Sequence, residues 1–140
     1  MADFIHPSVQ PVIAQDRGIL ESFGMQIKRA EAGVCEVTAD VPVHLVNAAG
    51  FGHGSIAYSL MDTACAYAIG SLEVRGVTVN GSVTYVRGAK GGDKLRGQVQ
   101  VMSRSRRTAT LRGEVFIEGE EGPQLAAHGS FVFQLIEVRT

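Results

Sequence analysis

The run from Gly54 to Gly70, GSIAYSLMDTACAYAIG, contains one charged side chain, Asp62. Stepping about 100° per residue along a helix spreads Ile56, Leu60, Met61, Ala64, Tyr67 and Ala68 over more than half the circumference. Ser55, Ser59, Asp62 and Ala66 fall in one narrow strip. A helix that is apolar nearly all round is a buried helix. Its small residues (Ala57, Ala64, Cys65, Ala66, Ala68) let neighbours approach closely. Asp62 is then the only carboxylate on an otherwise dry element. Burial without a partner disfavours the charged form, and a carboxylate held this way is a candidate base or nucleophile. On the pattern alone, a strip that simply faces water is an equal alternative.

The seven residues before the run, Asn47 to His53 (NAAGFGH), form a glycine-rich lead-in. The first turn of a helix has free backbone N–H groups and the positive end of the dipole. Gly52 and Gly54 flank His53 and leave those donors uncovered by side chains. A carbonyl oxygen or developing oxyanion can be brought onto such amides. A loop that needs glycine only for positive φ would look the same.

The rest of the chain is mostly strand. Residues 1–10 read as a loose arm, since Pro7 and Pro11 discourage early helix. Pro11 to Phe23 is a short amphipathic helix weakened by Gly18 and ended by Gly24. Met25 and Ile27 begin one strand and Val34 to Thr38 another, with Glu31-Ala32-Gly33 as a hairpin turn. After Gly70 the period changes from helical to two. Val77, Val79, Gly81, Val83 and Tyr85 share one face of a strand; Leu95 to Val101, Ala109 to Ile117 and Leu125 to Ile136 make three more. Short turns between the late strands make antiparallel pairing the default. Each strand has an apolar face that needs cover, and only the long helix is large enough to give it. The class is therefore α+β, with a long central helix covered by sheet.

The chain of 140 residues is one domain by size, residues 1–140. A net charge of −1 gives no reason to expect nucleic acid. The 17 glycines exceed the usual share and imply tight turns or close backbone approaches. Cys35 and Cys65 have no paired spacing, so we expect two reduced, buried thiols, no zinc site and a cytoplasmic protein. The N-terminus lacks an export pattern. Asp62 and the Ser/Thr content keep the apolar run from reading as a membrane span.

Asn47, Gly50, His53, Gly54, Ser55, Leu60, Asp62, Thr63, Ala64, Ala66, Tyr67 and Ala68 together make a pattern that resembles the hotdog-fold acyl-CoA thioesterases. The likeness is nearest the phenylacetic acid degradation and 4-hydroxybenzoyl-CoA type, and it continues through Val77 to Asp93 (VTVNGSVTYVRGAKGGD). It covers roughly residues 20 to 136. The resemblance implies a long helix wrapped by a curved antiparallel sheet. It implies Asp62 as nucleophile or general base, and the Gly54 N–H as the group that polarises the thioester carbonyl. Asn47 would position water or substrate, His53 would support the loop or the carbonyl, and Thr78 would help hold the attacking water. Ser55 departs from the family, which usually has a second glycine there. The substrate would be an acyl- or aryl-CoA; no cofactor and no metal are implied.

Length along the helix adds a constraint. Gly54 and Asp62 are eight residues apart, about 12 Å at 1.5 Å per residue. Both must come within about 3 Å of one reacting centre. Two chains related by a twofold axis can do that, Gly54 of one facing Asp62 of the other. A homodimer with composite sites is expected, and in this family often a tetramer, a dimer of dimers. Arg87, Lys90, Arg104, Arg106 and Arg107 at strand ends and turns are candidate contacts for the phosphates of coenzyme A, although each is also an ordinary turn charge. Ser55 is a further candidate contact. His44 and His128 read as structural or surface groups, and Tyr58 and Tyr67 as core or pocket wall. The rival readings are a hotdog dehydratase or hydratase with His53 as base, and a non-catalytic acyl-CoA-binding module.

Overall fold

The computed structural model describes residues 3–136. Seven strands form one sheet in the order β1-β2-β3-β5-β6-β7-β4: β1 Phe4–Ile5, β2 Met25–Glu31, β3 Val34–Asp40, β4 Arg75–Tyr85, β5 Lys94–Arg104, β6 Thr108–Glu118 and β7 Gln124–Ile136. All pairs are antiparallel except β1 with β2. The helices are α1 Gln10–Gln15, α2 Arg17–Phe23 and α3 Gly54–Gly70. The long helix α3 lies across the sheet and touches β2 through β7. This is the hotdog arrangement.

The core follows from the period-two pattern. Leu95 and Val99 on β5, Ala109, Leu111 and Val115 on β6, and Phe131 and Phe133 on β7 are buried against Ile56, Leu60, Met61, Ala64 and Tyr67 of α3. Burying each large side chain contributes about 1.5–3 kcal/mol. Inner-face glycines make room for the helix. A β-carbon on Gly81 would sit 2.2 Å from the Tyr58 hydroxyl, and one on Gly113 3.0 Å from Met61 Sδ. The β2–β3 hairpin turns through Ala32 and Gly33, both at positive φ (51° and 78°), as a two-residue hairpin requires. Gly24 ends α2 in the left-handed region. Cys35 and Cys65 are free and buried, and burial raises both thiols well above their ordinary pKa, which leaves them inert.

Four sequence expectations need correction. From Phe4 onward the N-terminal ten residues are docked rather than loose. Phe4–Ile5 pairs with β2, Val9 is fully buried, and Ser8 Oγ donates to the Gly70 carbonyl at 2.6 Å. The single helix over 11–23 is two, broken at Asp16, whose Oδ2 accepts a bond from the buried Tyr67 hydroxyl at 2.8 Å. Tertiary hydrogen bonding there outweighs local periodicity. Consecutive strands β4 and β5 are not neighbours: β4 crosses to pair with β7 and forms an edge.

The fourth correction concerns the faces of β4. The ladder to β7 pairs Thr78 with Phe133 and Asn80 with Val132, so Val79 is an extra residue. This bulge reverses the side-chain parity. Val77 and Val79 are not on the inner face with Gly81 and Val83; they are exposed, at 49% and 61%. Thr78, itself exposed, is turned to the helix side instead, where it meets Asp62.

Candidate active site

The loop from Asn47 to Gly52 closes on itself. Asn47 Oδ1 accepts from the Ala49 and Phe51 amides at 3.0 and 3.1 Å, and the Asn47 amide donates to Phe51 O at 2.6 Å. The loop is fastened to its surroundings through Gly52 N to Ala89 O and His53 N to Leu45 O, both 2.7 Å. The Asn47 carbonyl oxygen is therefore engaged by its own loop.

His53 caps α3. Its backbone is extended (φ −58°, ψ 142°), and Nδ1 accepts from the Ser55 amide at 3.1 Å and meets Ser55 Oγ at 2.9 Å. An imidazole whose Nδ1 accepts a backbone N–H carries its proton on Nε2 when neutral. It therefore offers an N–H outward and no second lone pair. The Ile56 amide donates to His53 O at 2.9 Å. Among the described residues, the first-turn amide left without a partner is that of Gly54.

Gly54 borders a cavity of about 360 Å³. Val41, Ile56, Leu95, Val115 and Ala126 give it apolar walls; Asn47, His53, Gly54, Tyr85 and Arg87 edge it. Phe51 closes one side, its ring against Gly88, where a β-carbon would approach it to 2.7 Å. Tyr85 was not singled out by the sequence pattern beyond its place on a strand face. Its hydroxyl donates to Gly54 O at 2.7 Å, and its ring lies over the Gly54 α-carbon. Burial, with Tyr58 a smaller cause, raises its pKa, so it remains a donor at neutral pH. The contact joins residues 31 apart in sequence, which no local period carries.

Asp62 lies elsewhere. It is half-buried, as are Ser59 and Ala66 of the same strip, while Ser55 is exposed. The strip is thus neither dry nor fully open. Thr78 Oγ1 donates to Asp62 Oδ1 at 2.7 Å, and the β4 bulge is what aims it there. Neither Asp62 nor Thr78 lines the cavity. One chain therefore brings Asn47, His53, Gly54 and Arg87 to one place and Asp62 with Thr78 to another.

Ser55 does not line the cavity; its side chain serves the cap. Lys90 is in the exposed loop 86–93 beside the cavity wall, its amide bonded to Asp93. Arg104, Arg106 and Arg107 are exposed at the β5–β6 hairpin. Leu95 lines the cavity near the start of β5, so at about 3.3 Å per residue that hairpin is about 30 Å away. These three cannot serve the cavity of their own chain. His44 is exposed and His128 half-buried, and neither borders the cavity; Tyr67 is core, and Tyr58 packs edge-on to Phe131. Among the described residues no three His, Cys, Asp or Glu side chains gather as metal ligands, and no helix is long and apolar enough to cross a membrane.

Comparison with known proteins identifies the family and the fold. A family model described as the thioesterase superfamily matches residues 49–123, more than half of the chain. A curated Archaeoglobus fulgidus protein named "Putative esterase" is 31% identical over 97 residues, 69% of this chain and 63% of that protein, so the chain spans just under two thirds of that relative's length. Among solved structures, a mutant of the phenylacetic acid degradation protein PaaI from Thermus thermophilus is 26% identical, with TM-score 0.77 over 84% of this chain and 97% of that one. A hypothetical thioesterase from Streptococcus pneumoniae, solved with coenzyme A, shares the fold at 22% identity, with TM-score 0.82 over 91% and 99% of the two chains. The matched segment contains His53, Gly54, Asp62, Thr78 and Tyr85, and the chain belongs to the thioesterase superfamily.

Proposed function

We propose that this chain is an acyl-CoA thioesterase that hydrolyses an acyl- or aryl-CoA thioester to a free acid and coenzyme A. The observation that carries the reading is the unpartnered Gly54 N–H, at the positive end of α3 and on the wall of a largely apolar cavity. A fixed donor in a water-poor site stabilises the oxyanion formed when a thioester carbonyl is attacked. The His53 Nε2–H is a second donor at the same end. The acyl or aryl group occupies the cavity. Asp62, held by Thr78, either takes a proton from water as it adds to the carbonyl carbon and passes it to the departing sulfur, or attacks that carbon itself. Direct attack forms a mixed anhydride that water then hydrolyses, its protons going to the thiolate and to solvent. The C–S bond breaks, coenzyme A leaves as the thiol, and no metal takes part. Asn47 acts by closing the loop that presents His53 and Gly54. Arg87 and Lys90, at the cavity edge and beside it, are the cations of the same chain suited to phosphate.

The two halves of this site meet in a homodimer. Thr78, which holds Asp62, and Tyr85, which holds Gly54, lie on the same edge strand, equidistant from its Gly81–Ser82 step. Two copies of β4 paired antiparallel about that step would set Thr78 and Asp62 of one opposite Tyr85 and Gly54 of the other. Such pairing covers an eleven-residue open edge and the exposed Val77 and Val79 beside it. It also brings the Arg104–Arg107 hairpin of the second copy to the cavity end of the first. Further pairing into a dimer of dimers belongs to the same reading. A dehydratase with His53 as base is disfavoured, because the ring nitrogen facing out carries the proton.

The test is a thiol-release assay across aryl-CoA and medium-chain acyl-CoA thioesters, run beside sedimentation. We expect turnover of at least one class by a dimer or larger species. Saturable binding without thiol release would make the chain a binding module, and a fully active monomer would contradict the composite site.

A further inference from the structure

Glycine at the first position of α3 leaves the N–H uncovered, but it is also the residue least able to fix its own backbone. The cap fixes one side of it: His53 O, on the same peptide unit as the Gly54 N–H, accepts the Ile56 amide at 2.9 Å, and His53 Nδ1 accepts that of Ser55, which leaves the Gly54 N–H itself free. The hold on the other side, at the Gly54 α-carbon and carbonyl, comes from across the fold. The Tyr85 hydroxyl donates to its carbonyl oxygen at 2.7 Å, and a β-carbon added to Gly54 would meet the Tyr85 ring and hydroxyl at 3.3 Å. Gly54 is thus touched at two points by one rigid aromatic side chain from the last residue of β4.

We infer that Tyr85 is a positioning residue: it anchors the Gly54 α-carbon and the Gly54–Ser55 peptide, so that the Gly54 N–H, held on its other side by the cap, stays aimed at the reacting carbonyl. It acts through Gly54 rather than on substrate. The inference rests on the thioesterase reading for its kinetic consequence but not for its structural one. Both parts of the clamp are separable. Tyr85→Phe keeps the ring on the glycine and removes the hydroxyl; Tyr85→Leu removes both.

The experiment joins kinetics with the amide signal of Gly54 in protein labelled with ¹⁵N-glycine, assigned with Gly54→Ala. In Tyr85→Phe we expect kcat to fall about fivefold, the worth of one neutral hydrogen bond, with KM within about twofold and sedimentation unchanged. Without substrate present, the Gly54 amide resonance shifts and its hydrogen exchange quickens. Tyr85→Leu shows a larger fall in kcat and faster exchange. A Tyr85→Phe protein with wild-type kcat and an unmoved Gly54 resonance would overturn the inference. A change in KM alone would make Tyr85 a substrate wall, and loss of the dimer would make it an interface residue; either result also overturns it. If the wild-type protein releases no thiol from any thioester, the hydrolase reading falls, and the Gly54 resonance still decides the clamp.

Discussion

Asp62→Asn lowers kcat for thioester hydrolysis by about a hundred- to ten-thousandfold, the range that a positioned proton acceptor supplies. The substitution is close to isosteric. Thr78 donates to Asp62 Oδ1, and an amide oxygen accepts that bond as well as a carboxylate oxygen does. The side chain is half-buried and forms no ion pair among the described residues, so its charge supports no salt bridge there. What is lost is the lone pair that takes a proton from water or attacks carbon. The thermal midpoint and the sedimentation behaviour are therefore expected to match wild type, and the loss is expected in kcat rather than KM. Thiol release measured across a substrate series checks it. Activity near wild type would remove Asp62 from the chemistry and with it the assignment.

Gly54→Pro removes one hydrogen-bond donor and little else. Proline is favoured at the first position of a helix, where its missing N–H costs no intrahelical bond. His53 already has the extended backbone that a residue before proline prefers. The Gly54 amide has no partner within the described residues, so no protein hydrogen bond is broken. The added β-carbon meets Tyr85 at 3.3 Å, which asks that side chain to give a few tenths of an ångström. Loss of one oxyanion donor typically lowers kcat by about a hundred- to a thousandfold, and that is the effect expected. Gly54→Ala adds the same β-carbon but keeps the N–H. Its kcat should fall far less, so the pair separates the donor from the crowding.

Much of the fold was legible in the sequence because it rests on strong local periods. The apolar circumference of Gly54–Gly70 required a buried helix, and the alternation over β5 and β6 put Leu95, Leu111 and Val115 on the covered face. Hairpin chemistry at Ala32-Gly33 and the helix stop at Gly24 were equally local. What local pattern could not carry was longer-range. The docking of Val9 and Phe4, the break at Asp16 set by Tyr67, and the crossing of β4 to β7 all depend on contacts between distant residues. The bulge at Val79 is the instructive failure. Strict alternation placed Val77 and Val79 inward, and one extra residue reversed the strand, exposed both and turned Thr78 toward Asp62.

The candidate site shows the same division. The resemblance singled out Asn47, His53, Gly54, Asp62 and Thr78, and helix length alone separates Gly54 from Asp62. Tyr85 went unnoticed because its partner is the backbone of Gly54, and a backbone carbonyl leaves no mark in a sequence. Asn47 edges the cavity as expected near substrate, with its side-chain oxygen taken up by the loop, whereas Ser55 lies off the cavity and bonds His53. Arg104, Arg106 and Arg107 were grouped with Arg87 as cations, although the sheet sets them at opposite ends.

The composite site is the central claim, and subunit mixing tests it most directly. Asp62→Asn and Gly54→Pro chains are each nearly inactive alone. Co-expressed, they form mixed dimers in which one site has both functional halves and the other has neither. Random pairing then restores about a quarter of wild-type activity. A mixture no more active than its parents would show that each chain carries its own complete site, and would contradict the account.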